Sequence, residues 1–381
     1  MTCGGCGAQV LAGDRFCPQC GRPTTVTEQS APAPPPLSAA AGGILDDLGG
    51  RLHRFAGTER LEGFSLGTMF SEVFKRRGVD ELDEYFLVGT RRTTPPLAAV
   101  ETGWPKPWFF ARVLLFVVVV YVGFSLGVNQ FRNLNLVPGL IMMGSLAAPL
   151  ATVFLFFELN TPRNVAFHEV LMLVCFGGVV SLFVSLLGFD FHALDALGAS
   201  QAGIIEEIGK LLAVVLIVRN RRYPYTLNGL LFGAAVGAGF AIFESAGYAF
   251  NALLRERSLE AATHVIHLRA FLSPFGHVAW TAIAAGALWR IKGARRFNAR
   301  MFVDPRFLKP FCIPVILHML WNAPLPSPFY VRHLVIGVVG WFVVFGFVQD
   351  GLRQIRAAQA DAATPAEGAA AAPGAPEVVT P

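Results

Sequence analysis

Glu206, Glu207 and Lys210 stand inside "AGIIEEIGKLLAVVLIV" (202–218), a run otherwise apolar enough to lie within a membrane. A charge at the bilayer centre costs ~2.5–3.5 kcal/mol on insertion scales, so three so close together demand a use. Other apolar runs are interrupted in the same way. Glu244 ends "FAIFE", His277 sits in "SPFGHVAWT", and His318 and Asn322 belong to "LHMLWN". Glu206 and Lys210 are four residues apart and share a helix face, and Glu207 reaches Lys210 from three residues away. His318 and Asn322 also share a face, which lets the amide orient or flank the imidazole. Carboxylates and imidazoles without a serine or cysteine nucleophile beside them point to activation of water. Two histidines with one glutamate are also a ligand set of catalytic zinc. Hydrolysis of an amide inside the membrane is the reaction these groups suit best.

Depth supports treating them together. At 1.5 Å per helical residue, Glu206 lies ~20 Å from Arg219 and Glu244 ~24 Å from Asn228. By the same count His277 lies ~20 Å from Arg290 and His318 ~14 Å from Lys309, which puts all four in one layer of antiparallel spans. A lone intramembrane histidine commonly bonds a neighbouring helix, and a Glu–Lys pair can be structural glue. A layer holding Glu206, Glu207, Glu244, His277 and His318 reads instead as a site. A proton-coupled transporter or channel is the competing use, although a relay would string such groups across the membrane. A non-enzymatic membrane scaffold is the other. Gly229, Gly233 and Gly237 form a small-residue ridge beside Glu244. It serves either helix packing or the admission of an extended substrate.

The elements that must hold these residues are membrane helices. Of 381 residues 54% are hydrophobic and 15% charged, with a mean hydropathy of +0.51, which excludes an ordinary soluble protein. Apolar runs predict an all-α polytopic membrane protein with about eight transmembrane helices, at 108–128, 136–157, 168–188, 202–218, 228–250, 271–290, 307–322 and 331–349. The seventh carries Pro310 and Pro314 and is expected to be tilted or partly re-entrant. Glu158, His168, Glu169 and Asp190 fall at span ends, where they are expected to snorkel to water. Lys and Arg crowd the connections after the fourth and sixth spans, as in Arg219, Arg221, Arg222 and the stretch from Arg290 to Lys309. The positive-inside bias then places both termini in the cytoplasm of a multi-pass cell-membrane protein. The opening "MTCGGCGAQV" has no apolar core, so no cleavable signal peptide is expected.

Residues 1–24 pair "CGGC" with "CPQC", so Cys3, Cys6, Cys17 and Cys20 have the spacing of a structural zinc ribbon, with glycines for the knuckle turns. Cys175 and Cys312 lie in apolar runs and read as packing residues. Residues 25–43 read as a disordered Pro/Ala linker, 44–104 as a cytoplasmic helical region with Ser65 as a helix cap, 105–350 as the multi-span domain and 351–381 as a disordered tail. No basic stripe interleaved with aromatics is present, so no nucleic-acid partner is expected.

"EEIGK" (Glu206–Lys210), "FAIFE" (Phe240–Glu244), His277 and His318 occur in that order on separate spans, and in this the chain resembles the PrsW family of intramembrane proteases. More distantly it is similar to the type II CAAX-prenyl-protease and Abi superfamily. The resemblance covers most of 108–350. It implies a multi-helical fold and cleavage of a membrane-anchored protein within the lipid bilayer, and in one branch of the family that substrate is an anti-sigma factor cut to begin stress signalling. Members are called metalloproteases, and relatives in the superfamily glutamate proteases; both mechanisms stay open. Carried over, Glu206 and Glu207 activate water, Lys210 tunes the pair, and Glu244, His277 and His318 serve as metal ligands or on the oxyanion side. The ribbon and the 44–104 region lie outside the match and are expected to recruit a cytosolic partner or to regulate.

Overall fold

A computed structural model describes residues 2–11, 16–22, 37–218 and 223–363, with side chains of the first helix described from Asp47 onward. The chain divides into two compact units, Met1–Leu48 and Gly49–Pro381.

In the first unit the four cysteines converge. Cys3 Sγ lies 3.6 Å from Cys20 Sγ, and Cys6 Sγ 3.6 Å from Cys17 Sγ, too far for disulfides. Each knuckle closes in the same way, with Gly7 N–H donating to Cys3 O and Gly21 N–H to Cys17 O, both at 2.9 Å. Gly7 (φ 72°) and Gly21 (φ 65°) are left-handed, the conformation the spacing asks of them. Backbone N–H groups of Gly5 and Cys6 pull the Cys3 thiol down to about 6. Cys20, although Arg22 N–H donates to it, is pushed up to about 12 by Cys6 beside it. Four thiols in one knot cannot all ionise without a cation between them, and together they form a group able to hold one.

The membrane unit is helical, and among the described residues no strand forms beyond a bridge of Thr2 with Gln9 in the ribbon. Helix α1 (Leu37–Ala56), α2 (Leu66–Met69) and α3 (Val79–Phe86) precede the spans. Ser65 caps α2 as expected, accepting from Thr68 N–H, but α2 has a single turn and the region is less helical than its pattern predicts. Residues 25–36 of the expected linker lie outside the described residues. The remainder of that linker, from Leu37, is helix, in keeping with its alanines.

Helices α4 (Phe109–Asn129) and α5 (Val137–Leu159) form a hairpin. Glu158, expected to snorkel, instead accepts from the N–H groups of Trp108, Phe109 and Phe110 and so caps α4. The third span joins α6 (Phe167–Met172) to α7 (Gly178–Asp190) through a π turn at Leu173–Gly177. Helix α8 (Ala202–Ile217) follows, then α9 (Thr226–Glu256), α10 (Leu259–Leu272), α11 (His277–Lys292), the short α12 (Ala299–Phe302), α13 (Pro305–Asn322) and α14 (Val331–Ala363).

Among the described residues, six helical stretches are long and apolar enough to cross a membrane. The two remaining expected spans, α8 and α13, have 16 and 18 residues and carry the charges and polar groups that shorten their apolar runs. Helix α13 runs unbroken through both prolines. Pro310 removes the donor that would reach Arg306 O, and Arg290 Nη2 takes its place at 3.4 Å. The sixth span, expected as one helix from 271, breaks at Ser273–Gly276, where "SPFG" places a proline and a glycine. His277 is therefore the first residue of α11.

The interior centres on α9, which is buried along most of its length and packs closely on α11. The glycine ridge explains the closeness. A Cβ on Gly229 would lie 2.7 Å from Ala285 O, on Gly233 2.2 Å from Thr281 O, and on Gly237 2.4 Å from His277 O. Of the two uses open to that ridge, the structure takes the packing one.

The tail expected to be disordered from 351 continues α14 to Ala363, and 364–381 lie outside the described residues. Its helix is held from outside: Ile355 is buried, Arg353 pairs with Glu62 at 2.8 Å, and Gln359 Nε2 donates to Leu97 O at 2.8 Å and to Val100 O at 2.9 Å. Residues 49–107 accordingly pack on the bundle as part of the same compact unit.

Candidate active site

Helix α8 turns Glu206, Glu207 and Lys210 inward, and Glu207 and Lys210 have no solvent exposure. Two buried charges of opposite sign survive together because each supplies what the other lost from water. Lys210 Nζ donates to Glu207 Oε1 at 2.7 Å, lies 3.3 Å from Glu206 Oε2, and sits over the Phe240 ring at 4.2 Å. Its third bond, 2.8 Å, goes to His277 Nδ1. An ammonium can only donate, so Nδ1 carries the lone pair and Nε2–H donates to Glu244 Oε2 at 3.0 Å. His318, on α13, donates from Nδ1 to Glu207 Oε1 at 3.0 Å. Its Nε2 then faces Glu206 Oε2 at 3.8 Å.

Five residues expected to share a layer are thus one bonded cluster, together with Lys210. Glu206 lies one turn from the start of α8, His277 begins α11 and His318 lies one turn from the end of α13, so the cluster sits near one end of these helices. A cleft of about 530 Å³ reaches it there, lined by Gln201, Tyr248, Ser273, Tyr330 and His333 among others. Asn322 lines this cleft but makes no bond to His318, whose ring is fixed instead by Glu207 and by Trp280 stacked on it at 4.6 Å.

One atom of Glu206, His277 and His318 each lies within 4.8 Å of the others, a group able to hold a metal ion. Glu206 Oε2 is buried and accepts no hydrogen bond, its nearest cation being Lys210 Nζ at 3.3 Å, so it keeps lone pairs for a further ligand. Behind each imidazole stands a carboxylate, Glu207 on His318 and Glu244 on His277, the arrangement that orients metal-bound histidines. The donor set therefore fits a divalent cation once Lys210 gives up its bond to His277 Nδ1, the lone pair that would hold the ion. It differs from the expected trio of Glu244, His277 and His318: Glu206 closes the set, and Glu244 stands behind it.

Glu244 has a second partner that sequence reading missed. Arg269 on α10 forms an ion pair with Glu244 and donates from Nε to Ser245 Oγ at 2.8 Å, with its guanidinium over Tyr248 at 4.6 Å. In the sequence Arg269 counts only as a connection charge. The signal that could have found it was "SPFG", which ends α10 and folds it back beside Glu244. Trp280 was also passed over, although it follows His277 by three residues and so shares its face.

No curated protein and no solved structure matches the chain significantly. Residues 165–348 match the PrsW family intramembrane metalloprotease, and this stretch contains every residue of the cluster. Through this region, carried on a multi-pass helical bundle, the chain is similar to the PrsW family of intramembrane metalloproteases.

Proposed function

We propose that the protein hydrolyses a peptide bond of a membrane-anchored protein, with water activated between Glu206, His277 and His318. The observation that carries this reading is the convergence of those three residues at the floor of a cleft, with a carboxylate behind each imidazole. A relay for protons would spread such groups along the bundle, whereas here they form one knot.

Glu206 turns Oε2 toward the imidazoles and keeps its second oxygen for the proton of an attacking water. The water oxygen adds to the substrate carbonyl, and the proton returns to the amine as the C–N bond breaks. Lys210, buried behind the cleft, neutralises Glu207 and tunes the carboxylate pair. Glu206, His277 and His318 would hold a divalent cation, which would supply Lewis acidity at this point of the cleft. Arg269 and Glu244 hold His277 in its Nε2–H tautomer. A one-span anti-sigma factor is the substrate class to test first, and the ribbon recruits a cytosolic partner to the same membrane.

The test is cleavage in proteoliposomes that carry the full-length protein with a membrane proteome, run in ¹⁸O-labelled water. New C-termini bearing ¹⁸O, seen with wild type and lost with Glu206→Gln, are the expected result. New termini that persist in Glu206→Gln, or that lack the label, would contradict the proposal.

A further inference from the structure

At the other end of the bundle Arg54, Arg290, Arg295, Arg306, Lys309 and Arg353 face one cavity of about 890 Å³ between the end of α1, α11, α13 and α14. Glu59 and Asp350 are the carboxylates on its described wall, and both are already committed. Glu59 pairs with Arg353, and Asp350 accepts from Arg290 Nη1 at 3.1 Å. Arg306 is held by Asp304, which helix-caps α13, and Arg295 donates to the last carbonyls of α11. Arg54 and Lys309 are exposed, and neither has an ionic partner among the described residues. The hollow therefore keeps a surplus of positive charge.

Basic residues at one end of a membrane bundle are ordinary, and the positive-inside bias alone accounts for their presence. It does not account for their facing one hollow, nor for what continues from it. Leu308, Cys312, Ile316 and Leu320 recur every fourth residue along the exposed face of α13, beginning beside Lys309. Phe55 near the end of α1 and Val303 in the turn between α12 and α13 are exposed as well. Beside the cationic hollow runs an apolar stripe long enough for acyl chains.

We propose that this cavity binds the phosphate headgroup of an anionic phospholipid, with its acyl chains along α13. Guanidinium groups match phosphate oxygens in pairs, and basic pockets between membrane helices are known receptors of such headgroups. The apolar stripe favours a lipid over a free phosphate. The same Arg290 that lines the cavity also donates to Ala56 O at 3.1 Å and to Gly57 O at 2.8 Å. A bound headgroup would therefore stabilise the attachment of residues 49–107 to the bundle.

The test uses the full-length protein in neutral-detergent micelles, with retained lipid counted by native mass spectrometry. Dioleoylphosphatidylglycerol, dioleoylphosphatidylcholine and inorganic phosphate are the probes. Wild type is expected to prefer phosphatidylglycerol over phosphatidylcholine. Arg54→Gln with Lys309→Gln should weaken phosphatidylglycerol retention about thirtyfold, roughly fivefold per cation, and leave phosphatidylcholine unchanged. Both side chains are exposed and unpaired, and the charge-preserving pair Arg54→Lys with Lys309→Arg should retain the lipid. Equal retention of both lipids, or an unchanged preference in the glutamine pair, would overturn the site. Inorganic phosphate that competes as well as the lipid would overturn the lipid assignment.

Discussion

At the scale of residues, the site works through partners more than through isolated groups. His277 is held from two sides, by Lys210 at Nδ1 and by Glu244 at Nε2, and Glu244 is in turn held by Arg269. Arg269→Met should therefore lower metal affinity and cleavage rate together by about 10–100-fold, the usual effect of losing an outer-shell partner. Arg269→Lys should restore only part of this, because an ammonium lacks the planar fork that serves Glu244 and Ser245 at once. Equilibrium metal titration beside cleavage assays of both variants checks the prediction. An unchanged affinity in Arg269→Met would remove Arg269 from the site. Glu206, Glu207, Lys210, Glu244, His277 and His318 were legible in the sequence, because charges in apolar runs are costly enough to announce themselves. The division of labour between Glu206 and Glu244 was not legible. It depends on which oxygen meets which ring nitrogen, and helical spacing carries no such information.

Among the elements, α9 and α11 decide where the chemistry sits. Their backbones touch along Gly229, Gly233 and Gly237, and the last of these meets the carbonyl of His277. Gly237→Ala would put its Cβ 2.4 Å from that oxygen and push the start of α11 away. Alanine favours a helix by about 1 kcal/mol over glycine, so the loss here would come from displacement alone. Cleavage should fall at least tenfold. Gly247→Ala, where nothing lies within 4 Å of an added Cβ, should leave it unchanged. Equal activity of the two variants would show that the α9–α11 contact does not set the position of His277. The helices themselves were legible from their apolar runs. The break before His277 was written in "SPFG" yet hidden by the apolar residues on both sides. The helical course of 351–363 was hidden for another reason: it is stabilised by residues 49–107, some 250–300 positions away in sequence, through Leu97, Val100 and Glu62.

For the whole molecule, two compact units carry, among the described residues, two candidate metal groups of different kinds. The ribbon offers four thiols, the character of a closed structural site. The membrane group offers one carboxylate and two imidazoles facing a cleft, the character of an open one. The composition made a membrane bundle unmistakable, while the resting place of residues 49–107 on that bundle could be found only in three dimensions. The central claim is that Glu206, His277 and His318 form a buried centre able to hold a divalent cation. The most direct measurement of it is the zinc content of the purified full-length protein, wild type beside two sets of substitutions. Cys17→Ser with Cys20→Ser should remove the ribbon zinc and leave about one equivalent, the complement of a three-ligand catalytic site. Adding His277→Ala with His318→Ala should remove that one as well. A ribbon-emptied protein that holds no zinc above background, or one that keeps its zinc after both histidines are gone, would contradict the account.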